Sequence, residues 1–180
     1  MTLFPRLLLL DRDGVLNEDR PDSVRHRDAL VLIPKAVAAV AAYSRLGRKV
    51  ALVTNQGILG RGHVSKAEFG AIQATLIRAV EAAGGRLASV HIAPDARDGL
   101  SDRRKPGPGM LCEAMRQHRV FPAETLFIGD ALTDAEAAQA AGVAFRLVLT
   151  GKGRASASAR PDLPAFPTLA EALADLGACG

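Results

Sequence analysis

Leu7-Leu8-Leu9-Leu10-Asp11-Arg12-Asp13-Gly14-Val15-Leu16-Asn17 decides how the rest of the chain is read. Four leucines in a row show no apolar/polar alternation, so a strand built from them is buried on both faces, as the central strands of parallel sheets are. The run stops at an acid, a base, an acid and a glycine. A fully buried strand that ends in charge delivers that charge to the rim of a sheet.

The same grammar repeats outward from this segment. Pro34–Leu46 reads as an Ala-rich helix with proline in its first turn, and Lys49–Val53 as a second strand. Ser65–Ala83 is a helix opened by a Ser65/Glu68 capping box, followed by a strand over Leu87–Ile92. Pro108–His118 (helix), Thr125–Ile128 (strand), Ala131–Ala141 (helix) and Ala144–Leu149 (strand) continue the alternation. Gly151–Pro167, rich in Gly, Ala, Ser and Pro, reads as a loop before a short helix over Leu169–Leu176. Strands alternating with helices predict an α/β fold: a Rossmann-like three-layer sandwich around a mostly parallel sheet. The expectation is one domain over residues 1–180, with 151–180 as its C-terminal loop and helix.

Composition excludes several classes. Of 180 residues, 48% are hydrophobic and 23% charged, too apolar for a disordered chain. Aromatics make up only 4%, so the core must come from Ala, Leu and Val. Two cysteines cannot build a disulfide framework or a four-cysteine zinc site, which suits a reducing cytoplasm. No apolar run approaches the ~20 residues of a membrane span, and Met1–Leu10 lacks the basic start and cleavage site of a signal peptide. The net charge of +4 is scattered, mostly on Arg, with no basic tract interleaved with aromatics. Anionic small molecules therefore fit better than nucleic acid, and Arg suits phosphate. No nucleic-acid or membrane partner is expected, and the chain is read as a monomer.

In open α/β sheets ligands sit beyond the carboxyl ends of the strands. Strand one is followed by Asp11 and Asp13, strand two by Thr54-Asn55-Gln56-Gly57, strand three by a loop holding Arg103-Arg104-Lys105-Pro106, and strand four by Gly129-Asp130 with Asp134 one turn on. Each has an ordinary reading as turn, cap or solvated side chain. Their occurrence in this order, each at a strand end, does not. Such a set can do phosphoryl transfer. A carboxylate can attack phosphorus, and a second carboxyl two residues on can shuttle the proton. Lys105 and a divalent cation can neutralise the transferring group. Mg²⁺ takes oxygen ligands, which the carboxylates of Asp11 and Asp130 and a backbone carbonyl near Asp13 would supply.

These four segments resemble, in order, the motifs of haloacid dehalogenase superfamily phosphatases, over about Leu7 to Gly153. The resemblance makes Asp11 the nucleophile, Asp13 the general acid/base, Thr54 the phosphate-binding hydroxyl, Lys105 the motif amine and Asp130 a metal ligand. Metal contact by Asp134 is left open. Asp-Arg-Asp-Gly-Val-Leu-Asn, Thr-Asn-Gln-Gly-Ile, Arg-Lys-Pro and Leu-Thr-Gly-Lys-Gly narrow it to the D-glycero-D-manno-heptose 1,7-bisphosphate 7-phosphatases. The histidinol-phosphate phosphatases share the first three. The resemblance implies a Mg²⁺-dependent phosphomonoesterase acting on a small phosphorylated sugar, and places Arg12, Asp19, Asn55, Gln56 and Arg104 at the substrate. The forty residues between Asp13 and Thr54 and the fifty between Thr54 and Lys105 leave no room for a cap domain.

Two departures matter. Many of these phosphatases carry a zinc loop, Cys-x-His then Cys-x-Cys, before the Arg-Lys pair, whereas the stretch from His91 to Lys105 has no cysteine. No structural zinc is expected, and His91 is read as structural. The Asp19–Asp22 flap also differs from the Asp-His-Gly-Tyr of those relatives. Among rivals, a receiver module would put its acceptor acid after the third strand, where none stands directly. A P-loop kinase would need Gly-x-x-x-x-Gly-Lys-[Ser/Thr], which does not occur.

Overall fold

The protein was analysed as a computed structural model, which describes residues 4–96 and 101–177. In chain order the elements are β1 (Leu7–Leu10), α1 (Pro34–Arg45), β2 (Lys49–Asn55), α2 (Gly57–Gly60), α3 (Lys66–Ala82), β3 (Ser89–Ala93) and α4 (Gly109–His118), then β4 (Thr125–Gly129), α5 (Leu132–Ala141), β5 (Ala144–Val148), α6 (Gly153–Ala159), β6 (Ala165–Phe166) and α7 (Leu169–Ala174). The six strands pair in parallel in the order β3-β2-β1-β4-β5-β6.

The leucine run explains the centre. Leu8 and Leu10 join the core cluster of α1 and α7, while Leu7 and Leu9 join that of α4 and α5. All four are fully buried, so β1 divides two cores and must be apolar at every position. The strand order reverses at β1, where β2 and β4 lie on either side. At such a switch point the two neighbouring connections leave in opposite directions and open a crevice at the strand's carboxyl end. Asp11 begins there.

The predicted elements stand; the structure adds the one-turn α2 after β2 and differs twice at the end of the chain and once at a cap. Gly151–Pro167 is not a loop throughout. It contains α6 and a two-residue β6 that extends the sheet. Composition hid both, because Gly, Ala and Ser carry no periodicity and two residues cannot show any. α6 is held by tertiary contact, since the Ser156 hydroxyl donates to the Asp130 carbonyl at 2.8 Å. At α3, Ser65 caps as expected by accepting from the Glu68 amide at 3.1 Å. The Glu68 carboxylate, however, accepts from the Arg27 amide at 2.8 Å, so the capping box is half made.

Candidate active site

Four strand ends build one cleft of about 370 Å³. β1 supplies Asp11 and Asp13, β2 supplies Asn55 and Gln56, the loop before α4 supplies Arg104 and Lys105, and β4 with the first turn of α5 supplies Asp130 and Asp134. Asp19 lies on its rim.

Its centre is a charge cluster. Asp11, Asp130 and Asp134 each place a carboxylate oxygen within 4.8 Å of the others. Lys105 lies among them, its Nζ 3.0 Å from Asp11 Oδ1 and 2.6 Å from Asp134 Oδ1. Burial alone would lower the Lys105 ammonium, but the two carboxylates outweigh it and hold it above its ordinary value. Burial pushes Asp11 up to about 6 and Asp130 up to about 8, and the neighbouring acids push the same way. One ammonium faces three carboxyls, so ionising all three would leave two negative charges in excess, and burial and mutual repulsion resist that until a cation offsets them. That excess, offered by oxygen atoms alone, fits a hard divalent cation. Asp11 and Asp130 would hold it.

Asp134 is a structural part of this cluster. Its Oδ2 accepts from the amides of Asp130 at 3.2 Å and Ala131 at 3.1 Å, tying the first turn of α5 back to the end of β4. Its Oδ1 faces Lys105. The sequence left its metal contact open, and one of its oxygens lies within reach of an ion shared with Asp11 and Asp130.

Asp13 is separated from the cluster electrostatically. Burial would raise its carboxyl, but the Arg12 guanidinium, with hydrogen bonds from Asn17 and Gln56, holds it below the usual carboxylate range. Arg12 donates to both Asp13 oxygens, at 2.9 and 3.0 Å. Asn17 and Gln56 each donate at 2.8 Å. Two acids two residues apart are thus driven in opposite directions.

Several expected substrate contacts are placed otherwise. Arg12 is fully buried and does not line the cleft. It also donates to Gln73 at 2.9 Å and Gln56 at 3.2 Å, so the side chain expected at the substrate is turned away from the cleft. Thr54 is likewise buried and outside the lining, its hydroxyl accepting from Gln56 at 2.9 Å. Asn55 spends both ends of its amide on the Lys105 backbone, donating to the carbonyl at 2.8 Å and accepting from the amide at 3.0 Å. Gln56 is committed to Asp13 and Thr54. Arg104 does reach the cleft and donates to the Asp95 carbonyl at 3.1 Å. His91 is buried, bonded to Ser89 at 2.9 Å and Glu113 at 3.2 Å, in keeping with a structural role.

The cleft also has a wall that the strand-end argument missed. Arg20, Ser23, Arg61 and Lys152 line it. Lys152 Nζ stands 3.8 Å from Asp19 Oδ2 across the mouth, and its amide donates to Asp130 Oδ2 at 2.8 Å. The Leu-Thr-Gly-Lys-Gly run was the visible signal for Lys152. Arg61 lay just past the Thr-Asn-Gln-Gly segment without a pattern of its own.

The family model for HAD-hydrolase-like proteins matches residues 102–176. With acids at the switch point of a six-stranded parallel sheet, that makes the chain a haloacid-dehalogenase-like hydrolase. A D-glycero-beta-D-manno-heptose-1,7-bisphosphate 7-phosphatase of Pseudomonas aeruginosa is 39% identical over 147 residues, covering 82% of this chain and 83% of the relative. One of Neisseria meningitidis is 35% identical over 153 residues, covering 85% and 82%. The chain belongs to the family of these heptose-bisphosphate phosphatases. The crystal structure of the Bordetella bronchiseptica D,D-heptose 1,7-bisphosphate phosphatase, complexed with magnesium and phosphate, superposes with a TM-score of 0.90 at 34% identity, over 94% of this chain and 97% of that one.

Proposed function

We propose that the protein removes the 7-phosphate of D-glycero-D-manno-heptose 1,7-bisphosphate, with a divalent cation, through an aspartyl phosphate. The observation that carries this reading is the gathering of three acids around Lys105, beside an Asp13 paired separately with Arg12. The relatives' names supply the substrate, and the magnesium and phosphate of the Bordetella structure support the cation.

Asp11 leaves the end of β1 into the switch-point crevice and is the nucleophile. Its Oδ1 is held by Lys105, which leaves Oδ2 for the attack on phosphorus. The cation, when bound, supplies charge that keeps Asp11 ionised and draws the phosphoryl oxygens toward it. Lys105 neutralises the other side of the transferring group. Asp13, ionised in the free protein, is set to take the proton of the attacking water in the second step. Before the first step the dianionic phosphate entering beside it raises its proton affinity, so that it takes up a proton from solvent and then gives it to the leaving oxygen, which leaves it ionised again for the second step. Arg12, Asn17 and Gln56 fix its orientation throughout.

The test is a panel of heptose 1,7-bisphosphate, histidinol phosphate, other sugar phosphates and an aryl phosphate, assayed with Mg²⁺. The highest kcat/KM should fall on the heptose bisphosphate. A preference for histidinol phosphate would overturn the substrate, and activity that survives full removal of divalent cations would overturn the chemistry.

A further inference from the structure

The stretch from Pro94 to Pro108 carries no helix or strand among its described residues, yet it presents Arg104 and Lys105 to the cleft. Among the described residues its backbone bonds are few: Gly107 donates to the Arg104 carbonyl and Gly109 to the Asp102 carbonyl, each at 2.8 Å. Outside contacts also hold it, a backbone bond from Gly60 to the Pro94 carbonyl at 3.0 Å and several side chains. From the cleft side, Asn55 grips the Lys105 backbone.

From the other side, α4 does the holding. Glu113 Oε2 accepts from Arg103 Nη1 and faces His91 Nδ1 at 3.2 Å. Arg103 Nη2 donates to the Ile92 carbonyl at 3.0 Å. The network runs on through the Ser89 hydroxyl, which bonds His91 at 2.9 Å and His118 at 2.8 Å. It joins the loop to β3 and to the middle and the C-terminal end of α4. Glu113 does not line the cleft, and its side chain is 38% exposed. Its carboxyl lies below the ordinary range, because bonds from Arg103 and His91 outweigh the effect of burial.

We propose that Glu113 is a positioning residue: by fixing Arg103 it sets the next two residues, Arg104 and Lys105, against the phosphorylated substrate. The inference rests on the reading that Arg104 and Lys105 meet that substrate, but not on which sugar carries the phosphate. A loop released at Arg103 would stay attached at Lys105 through Asn55. The chemistry at Asp11 should therefore persist, while the anion site widens.

The experiment uses the full-length, Mg²⁺-loaded protein, with p-nitrophenyl phosphate turnover and inorganic phosphate binding by calorimetry. Glu113→Ala should raise KM and the phosphate Kd about 3- to 10-fold, as expected for a charge-assisted bond discounted for partial exposure, with kcat within about twofold. Arg103→Ala should do the same, and the double variant no more than either alone. Glu113→Gln keeps an oxygen for Arg103 and should recover most of the loss. Three results would overturn the proposal: unchanged KM and Kd in Glu113→Ala, a loss confined to kcat, or a double variant showing the product of the single losses. A heptose panel without preference would defeat the substrate reading and leave this measurement intact.

Discussion

Gly151→Ala puts the metal side of the site to its sharpest test. A Cβ at Gly151 would lie 2.1 Å from Asp130 Oδ2 and 2.7 Å from the Gly14 Cα. One at Gly14 would meet the same oxygen at 2.1 Å. The two glycines therefore close on the Asp130 carboxylate with nothing larger than hydrogen. Lys152 meets that oxygen with its amide, and the Thr150 hydroxyl donates to the Gly14 carbonyl, which draws the two turns together. Gly151 has φ +53, where a residue with a Cβ costs about 1–2 kcal/mol. If the carboxylate swings away, the lost charged hydrogen bond adds about 1.5–3 kcal/mol. A total of about 2.5–5 kcal/mol should lower Tm by about 5–20 °C in a chain of this size. Misplacing one of the carboxylates should weaken Mg²⁺ about 10- to 100-fold, the usual cost of disturbing a ligand's support. Calorimetric Mg²⁺ titration and thermal unfolding of the metal-free protein measure the two separately. A lower Tm with unchanged Mg²⁺ affinity would refute the reasoning, since backbone strain alone would then account for the glycine.

Asp11→Asn should abolish turnover, since an amide cannot form the acyl phosphate; Mg²⁺-dependent activity in a clean preparation would refute the covalent route. Asp13→Asn should cost about 10²–10⁴ in kcat with Mg²⁺ affinity retained, because its carboxylate lies outside the cluster of three acids. Arg104→Ala should lower kcat/KM for the bisphosphate about 10- to 150-fold more than for an aryl phosphate, the range of one charge-assisted contact; equal losses would assign it to the transferring phosphate. Tyr43 is buried and donates to the Pro5 carbonyl at 2.8 Å, and burial pushes its hydroxyl up to about 12 against the opposing effect of Arg48. The unfolded tyrosine ionises near 10, so stability should fall as pH rises from about 10 to 12. Chemical denaturation of Tyr43→Phe should lose that slope, and a slope kept in the variant would assign it elsewhere.

The sheet was legible because β1 and its neighbours are buried on both faces, which leaves an uninterrupted apolar run as their only stable composition. The end of the chain was not legible. β6 exists because its two residues reach an open edge of β5, and α6 because Ser156 meets a carbonyl of β4's exit, and neither contact leaves a period in the sequence. At the site, the acids and Lys105 could be placed from strand ends because topology alone brings strand ends together. The division of labour among the amides and Arg12 could not. Whether Asn55 faces a substrate or a backbone, and whether Arg12 faces solvent or Asp13, depends on rotamers and on partners as distant as Gln73. Glu113 sits on a helix whose sequence shows only an exposed acid, so nothing before the structure tied it to the Arg-Lys loop.

The burial of Arg12 shows how one short turn supports two opposite acid chemistries. Asp11 and Asp13 are two residues apart, and a phosphoryl transfer through both needs an ionised nucleophile beside a group that exchanges protons. Left to burial alone, both carboxyls would rise and repel one another. A guanidinium buried beneath the cleft lowers Asp13 and pairs with it, which offsets part of the Asp13 charge that pushes Asp11 up. Asp11 is left to Lys105 and the remaining acids, where its ionisation follows what else binds. A cation arriving at the cluster therefore acts mainly on Asp11, and a phosphate shifts the proton affinity of Asp13 without moving it, because its geometry is already fixed by side chains that never reach the cleft or that are committed to it. A substrate-binding arginine at position 12 would undo this arrangement, since pairing with phosphate would release Asp13 at the moment its orientation is needed.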